Sequence, residues 1–404
     1  MKFRRRSKPF LASLKDEIKK INQKKELIIS ADKTNNHYLV TTEEYKDLVN
    51  KEIHKKYKKA VPEKVKKVDS EHAKTAAELE LDDRIFKTAP RDCFITLKDH
   101  KPDFPTNPKV RLINPCKPEV GKIAMQIVDN IVKQIRAKDN SLKQAISTGE
   151  VIEWFKSIDD KKHFKFINWD IDNMYASITP QLLEETLDWA TQYVGITTQQ
   201  RKVVRQASKS FLYFDGQPWR KKGADNFDIG MGAFHGAQIA ELVGLFLMSR
   251  LAHINNLSPI IYRDDVLAIT RATARQQEKI RQEIIRVFSN YGLSITIFIN
   301  LKRVDFLDIT LDLERCIYKP YRKPGDRPLY VNSESNHPPQ VIKNIPAGIE
   351  RRLVQNSCNE EVFWDAVPDY QAELNRCGYR VTWFNPHYSL DVATNFAREV
   401  LECG

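Results

Sequence analysis

Residues 260–270, IIYRDDVLAIT, set two adjacent aspartates into the middle of an apolar run. A strand pair of this composition buries at least one face, and an unpaired carboxylate there costs far more than one hydrogen bond returns. A second apolar strand, FKFINWD, ends at Asp170, 94 positions before Asp264. Both segments place carboxylates where a strand stops. Two strands ending at the same edge of one sheet bring these groups together, where they repel unless cations neutralise them. The economical reading is a divalent-metal site drawn from Asp170, Asp264 and Asp265. Two oxygen-ligated ions roughly 3.5–4 Å apart are the usual device for in-line phosphoryl transfer. Side chains alternate faces along a strand, so Asp264 and Asp265 are not equivalent: one is the main ligand and the other a helper. The plainer alternative, two turn aspartates at a hairpin tip, stays open at this point.

The charge balance narrows the partners. The chain of 404 residues carries 65 Lys/Arg against 53 Asp/Glu, a net +12, and residues 1–70 hold 20 of the former against 10 of the latter. A basic excess concentrated near one end favours a polyanionic partner, usually nucleic acid; a merely lysine-rich solvated face is the alternative. No apolar run reaches the ~18–20 residues of a membrane span, and LVGLFLM (242–248) is a buried-helix candidate. MKFRRRSKPF lacks the apolar core of a secretory signal and reads as a nuclear signal or a phosphate-binding arm. The six cysteines are scattered, with no C-x-x-C. That spacing argues against a zinc knuckle or a disulfide framework and fits a reducing, intracellular compartment.

Along the chain, FLASLKDEIKKINQKKE (10–26) has a helical period, and LIISADKTNNHYLVTTEEYKDLV reads as strand, turn, strand and helix. CFITLK and KVRLIN are short strands joined by a proline-punctuated loop. Asp215-Gly216 in FLYFDGQPWRKKG suits a tight hairpin turn. GMGAFHGAQIAELVGLFLMSRLA begins with three glycines and becomes a helix; a helix follows over ARQQEKIRQEIIRVFSNYG, then two strands in LSITIFINLKRVDFLDITLDLE. From 316 the chain turns proline-rich and then helical. The order predicts an α+β domain with an antiparallel sheet carrying helices. GMGAFHG does not fit a dinucleotide site, because its spacing is GxGxxxG and no ribose-binding acid follows.

With these segments in order, a resemblance emerges. YRDD (262–265) resembles the Y-x-D-D signature of reverse transcriptases, and Asp170 with Tyr175 resembles their preceding D-x-x-x-x-[F/Y] motif. GMGAFHGAQ stands in the place of their glycine-containing loop, and NLKRVDFLDITLDL resembles the lysine-bearing strand and primer-grip hairpin. ITLKDHKP, VRLINP, YKPYRKP and SNHPPQVIKNIPAGIERRL look like Penelope-like element reverse transcriptases, over roughly residues 26–390. Many members carry a GIY-YIG endonuclease after the polymerase, which is not seen up to residue 404; the loop reads MGAFHGA where many relatives have MGSPLAP-like residues; and Arg263 stands where a small or apolar residue is common.

The resemblance implies a right-hand polymerase. It has a basic extension over 1–84, fingers over 85–164, a palm over 165–315 with an insertion at 181–225, and a thumb over 316–404. It implies RNA-directed DNA synthesis with two Mg²⁺ (or Mn²⁺) ions, an RNA template, a DNA primer or RNA/DNA hybrid and dNTPs, with no membrane partner, in the nucleus if the host is eukaryotic. Asp170 and Asp264 would hold the metals, Asp265 assisting, and Lys302 would protonate pyrophosphate. Tyr175 would exclude a 2′-hydroxyl; Arg111, Lys98 and Lys109 would clamp the triphosphate; Gly232 and Gln238 would approach template or nucleotide. Lys343, Arg351 and Arg352 would track the duplex backbone. Two alternatives are a DNA-templated or untemplated nucleotidyltransferase on the same palm, and a non-catalytic nucleic-acid-binding protein.

Overall fold

The structure, a computed structural model, describes residues 15–383 apart from 17, 21–22, 35, 81–90, 100, 102, 105, 116–119, 224–225, 324–325 and 327. MKFRRRSKPF, much of the expected helix over 10–26, Cys116 and Cys403 lie outside the described residues. In chain order the elements begin with β1 (Glu26–Ser30), β2 (His37–Thr41), α1 (Thr42–Lys56), β3 (Tyr57–Lys59) and α2 (Pro62–Glu78). They continue with β4 (Phe94–Leu97), β5 (Val110–Ile113), α3 (Val120–Lys138), α4 (Thr148–Lys156) and β6 (Lys165–Ile171). Next come α5 (Met174–Ser177), α6 (Pro180–Ala190), α7 (Thr198–Ala207), β7 (Leu212–Phe214), β8 (Gln217–Lys221) and α8 (Gly236–Arg250). Then follow β9 (Ser258–Tyr262), β10 (Asp265–Thr270), α9 (Ala274–Asn290), β11 (Ile295–Leu301), β12 (Arg303–Phe306) and β13 (Ile309–Asp312). The last are β14 (Ile317–Pro320), α10 (Pro339–Gln355) and α11 (Glu360–Arg376).

The chain divides into two units: residues 1–127 with 197–236 and 324–326, and residues 128–196 with 237–323 and 327–404. In the first unit, β1–β2 and β4–β5 are antiparallel ribbons, and β3, β8 and β7 form a three-stranded sheet. Thr41 caps α1 in a box with Glu44, as TTEE leads one to expect. Asp215 and Gly216 both have positive φ (52° and 71°), which a two-residue hairpin loop of this type demands. Ile29, Ile53, Ile95, Leu97, Leu212 and Trp219 supply the core.

The second unit is organised by an antiparallel sheet in the order β11-β6-β10-β9. Its two faces separate by alternation. Trp169 is buried and meets Phe288 of α9 edge-on, with ring centroids 6.3 Å apart. On the other face Phe166, Leu267 and Ile269 pack with Trp154 and Phe155 of α4 and with Phe306, Leu311 and Tyr318 of the β12-β13-β14 sheet. Burying Phe166 completely contributes roughly 2–3 kcal/mol. The expected two strands after α9 are three, broken at Lys302, and β14 adds a fourth where the proline-rich segment begins. Leu307 turns β12 into β13 with φ of 54°, a conformation that sequence pattern does not flag for leucine.

Among the described residues no disulfide joins the cysteines, and no helix is long and apolar enough to cross a membrane.

Candidate nucleotidyl-transfer site

The register of the central sheet assembles the carboxylates. Asp265 stands directly opposite Asp170, and Thr296 flanks Asp170 from β11. Residues facing each other in antiparallel strands project to the same side with Cβ atoms about 4.5–5.5 Å apart. Asp170 therefore lies on the face whose far end is covered by α4 and β12-β13-β14, at the end those elements leave open; it is exposed, while Asp264 and Asp265 are half-buried. Two like charges directly opposite cost up to about 1 kcal/mol. Nothing in sheet formation favours that arrangement.

Asp264 is not a ladder residue. It occupies the second position of the two-residue loop joining β9 to β10, and its carbonyl accepts the Ile171 N–H at 3.1 Å. That bond pins Asp264 beside the end of β6. Arg263, the first loop residue, has φ of 56°. A left-handed residue here gives the backbone reversal that a tight hairpin needs. Its exposed guanidinium lies over the Tyr262 ring at 5.3 Å, and its charge opposes the upward push that burial gives the Glu241 carboxyl. Gly244 of α8 lets that helix approach the hairpin: a Cβ there would meet Ile261 Cδ1 at 2.8 Å.

Beyond β6, Asp172 turns the chain. Its N–H donates to Ser294, its Oδ1 accepts from Thr296 Oγ1 at 3.1 Å, and Asn173 takes φ of 50° to start α5. Tyr175 sits in this single turn, half-buried, five residues after Asp170. Gln238, on α8, has its Oε1 buried without a hydrogen-bond partner.

The other predicted residues lie elsewhere. Lys302 is not brought to the carboxylates. Leu301 pairs with Phe166, four positions from Asp170, or roughly 13 Å along the strand, and Lys302 Nζ donates to the Lys162 carbonyl. Lys343, Arg351 and Arg352 are exposed on α10, and Arg352 pairs with Asp308 at 2.7 Å.

In the first unit, Thr96 faces Arg111 and Leu97 faces Val110. Alternation places Lys98, Lys109 and Arg111 on one face of the β4–β5 ribbon, opposite the core-facing Ile95 and Leu97. Asp32 takes Arg111 Nε at 3.0 Å, and Asp103 takes Lys109 at 3.3 Å. Burial, with the neighbouring Arg111 charge, pushes the Lys98 ammonium pKa down. Asp32 is a member of this cluster that sequence pattern does not reveal.

The glycine loop belongs to the same unit. Gly232 has φ of 110°, and a Cβ on it would lie 2.5 Å from the Asn114 carbonyl oxygen. The close approach is thus to backbone of the unit itself. His235 is 1% exposed, with Nε2 3.1 Å from Ser208 Oγ and no partner at Nδ1. Burial pushes its pKa down to about 4. An unfolded histidine titrates near 6.5, so the unfolded state binds more protons between these values. Stability is then full above about pH 6.5 and falls as pH drops towards 4, by at most about 3 kcal/mol. Denaturant titrations at a series of pH values should show this slope in the wild type and lose most of it in His235→Gln.

The donor set of the second unit is three carboxylates, with no thiolate or imidazole among them, which suits a hard divalent cation. Among the described residues no group of three or more acid, histidine or cysteine side chains is already closed around a metal-sized gap. The backbone gathers the acids without fixing their side chains on one centre.

No protein-family model matches the chain, and no curated protein does. Solved structures do. The fold is similar to that of telomerase. Apo telomerase from Candida tropicalis aligns with a TM-score of 0.55 at 9% identity, over 87% of this chain and 64% of that one. Telomerase from Candida albicans, in complex with a TWJ fragment of telomeric RNA, gives 0.56 at 9% identity, over 89% and 63%. The chain spans less than two thirds of the length of these telomerases. At such identity the likeness concerns the fold alone, a mixed helix-and-sheet arrangement.

Proposed function

We propose that the chain is an RNA-directed DNA polymerase of the Penelope-like type, with the second unit's sheet as its palm. The observation that carries this is the register pairing Asp265 with Asp170 while the Ile171 N–H bond holds Asp264 alongside. Asp170 and Asp264 would hold two Mg²⁺ or Mn²⁺ ions, with Asp265 assisting. When bound, such ions supply charge neutralisation and activation for attack of a primer 3′-hydroxyl on a nucleoside triphosphate. The protein's own share is positioning. Asp172 and Thr296 fix the turn that presents Tyr175, and the fork of Arg111, with Lys98 and Lys109, offers charge-assisted bonds to phosphate oxygens. The basic residues of α10 would follow the duplex backbone. The telomerase likeness supports this reading at the level of fold.

Primer extension with matched RNA and DNA templates and with dNTPs or NTPs is the direct test. Extension on the RNA template with dNTPs is expected, and its absence under Mg²⁺ and Mn²⁺ alike would sink the reading. Tyr175→Ala should raise incorporation of ribonucleotides relative to deoxynucleotides at least about tenfold, since the side chain would no longer fill the space beside the 2′ position. Tyr175→Phe should retain the discrimination. Single-nucleotide kinetics with both sugar types reads the difference.

A further inference from the structure

The β3–β8 ladder of the first unit carries charges that folding alone does not favour. Lys58 stands directly opposite Arg220, so two like charges share one face of the ladder. Such pairs destabilise a sheet. Neither is ion-paired among the described residues, and Arg220 Nε is buried without a hydrogen-bond partner. Around them the same sign accumulates. Every lysine between 55 and 67 is exposed, and the one acid in that stretch is Glu63. Two acids beside the ladder are already engaged. Asp228 is buried against the Tyr57 hydroxyl and Lys221, and Glu52 pairs with Lys55. Lys56 lies within Coulomb range of both Lys221 and Lys98, which joins this patch to the basic face of the β4–β5 ribbon.

The chemistry of the patch specifies its partner. Trp219 is buried and Tyr57 gives its hydroxyl to Asp228; on the face of Lys58 and Arg220 the three-stranded sheet adds one half-buried ring, Tyr213 of β7 beside Pro218, rather than a row of platforms on which successive unpaired bases could stack. Lysines with one arginine and no series of stacking rings match a regular array of phosphates, which positions a protein without reading sequence. We infer that the β3–β8 ladder and the lysines flanking it on α1 and α2 form a binding surface for the backbone of double-stranded nucleic acid. This goes beyond the polymerase reading, because binding here requires none of the carboxylates of the central sheet.

The test is fluorescence anisotropy of the full chain against short labelled duplexes of two unrelated sequences, a matching single strand, and phosphatidylserine vesicles, across a salt series. Lys58→Gln/Lys59→Gln/Arg220→Gln should bind both duplexes at least about tenfold more weakly, and its log–log salt slope should be shallower by about 2–3, near 0.9 for each phosphate no longer neutralised. An unchanged thermal melt shows that the variant folds, and Lys58→Arg/Lys59→Arg should keep both affinity and slope. Wild-type affinity and slope in the triple variant would overturn the inference. So would tighter binding of the single strand than of the duplexes, or loss confined to the vesicles. The two proposals separate cleanly. Duplex binding that depends on the patch, without any primer extension, sinks the polymerase reading alone. Extension with no effect of the triple variant on duplex affinity sinks the patch alone.

Discussion

Asp264→Asn is expected to reduce primer extension by about three orders of magnitude or more while leaving duplex affinity within about twofold of wild type. The substitution preserves the side-chain shape but removes one negative charge from the gathered acids. The bond that holds this residue in place is made by its backbone carbonyl to Ile171, so the hairpin survives. Folding should be undisturbed, and relief of repulsion against Asp170 and Asp265 tends to raise the melting temperature slightly. Two companions sharpen the test. Asp172→Asn keeps an oxygen that can accept from Thr296 and should cost less than about tenfold. Lys302→Ala should also cost little, because Lys302 follows Leu301, whose partner Phe166 is already roughly 13 Å along the strand from Asp170. Rates measured at saturating primer and dNTP separate these effects from binding. Undiminished synthesis by Asp264→Asn would remove the carboxylates from the mechanism, and a collapse in Lys302→Ala would return that residue to it.

The gathering of the three carboxylates at one sheet edge is legible because charge in an apolar strand has few physical explanations, and because strand ends are marked by where apolar alternation stops. FKFINWD lies in β6, which stops one residue past Asp170, IIYRDDVLAIT is the β9–β10 hairpin with its aspartates at the loop, and TTEE and Asp215-Gly216 fix a helix start and a turn by local chemistry alone. Register is a different kind of information. Whether Asp264 or Asp265 faces Asp170 depends on where the hairpin loop sits, and a shift of one residue reverses every side chain. Arg263 was opaque for the same reason: its positive φ belongs to the loop geometry, with Tyr262 and Glu241 as its neighbours. Lys302 belongs to the expected site only through the resemblance of NLKRVDFLDITLDL to a lysine-bearing strand, yet β11 runs antiparallel to β6 and carries it away from the acids. β14 hid behind Pro320, since a four-residue strand at a sheet edge is decided by pairing with β13 rather than by its own composition. Sequence pattern does not single out Asp228 and Asp32, because long-range partners, Tyr57 with Lys221 and Arg111, give them their meaning.

Gly232→Ala should destabilise the first unit by about 3 kcal/mol or more, a large effect for a single methyl group. Two costs add. At φ of 110° an L-residue is strained whatever surrounds it, and the new Cβ would lie 2.5 Å from the Asn114 carbonyl oxygen. That oxygen cannot simply retreat. Asn114 is 4% exposed, its N–H donates to Met231 at 3.0 Å, and its Nδ2 donates to Phe211 at 3.1 Å. The clash is therefore resolved by moving the loop that leads into His235, whose ring is itself buried against Ser208. Gly216→Ala is the matched control, because φ is also positive (71°) but nothing lies within 4 Å of the added methyl; it should cost about 1 kcal/mol. Hydrogen exchange should show loss of protection over 227–236 in Gly232→Ala and near-wild-type protection there in Gly216→Ala. If both variants melt together, the steric clash with Asn114 contributes nothing and conformational strain alone sets the cost. If Gly232→Ala melts with the wild type, the positive φ and the close approach at this loop are both refuted.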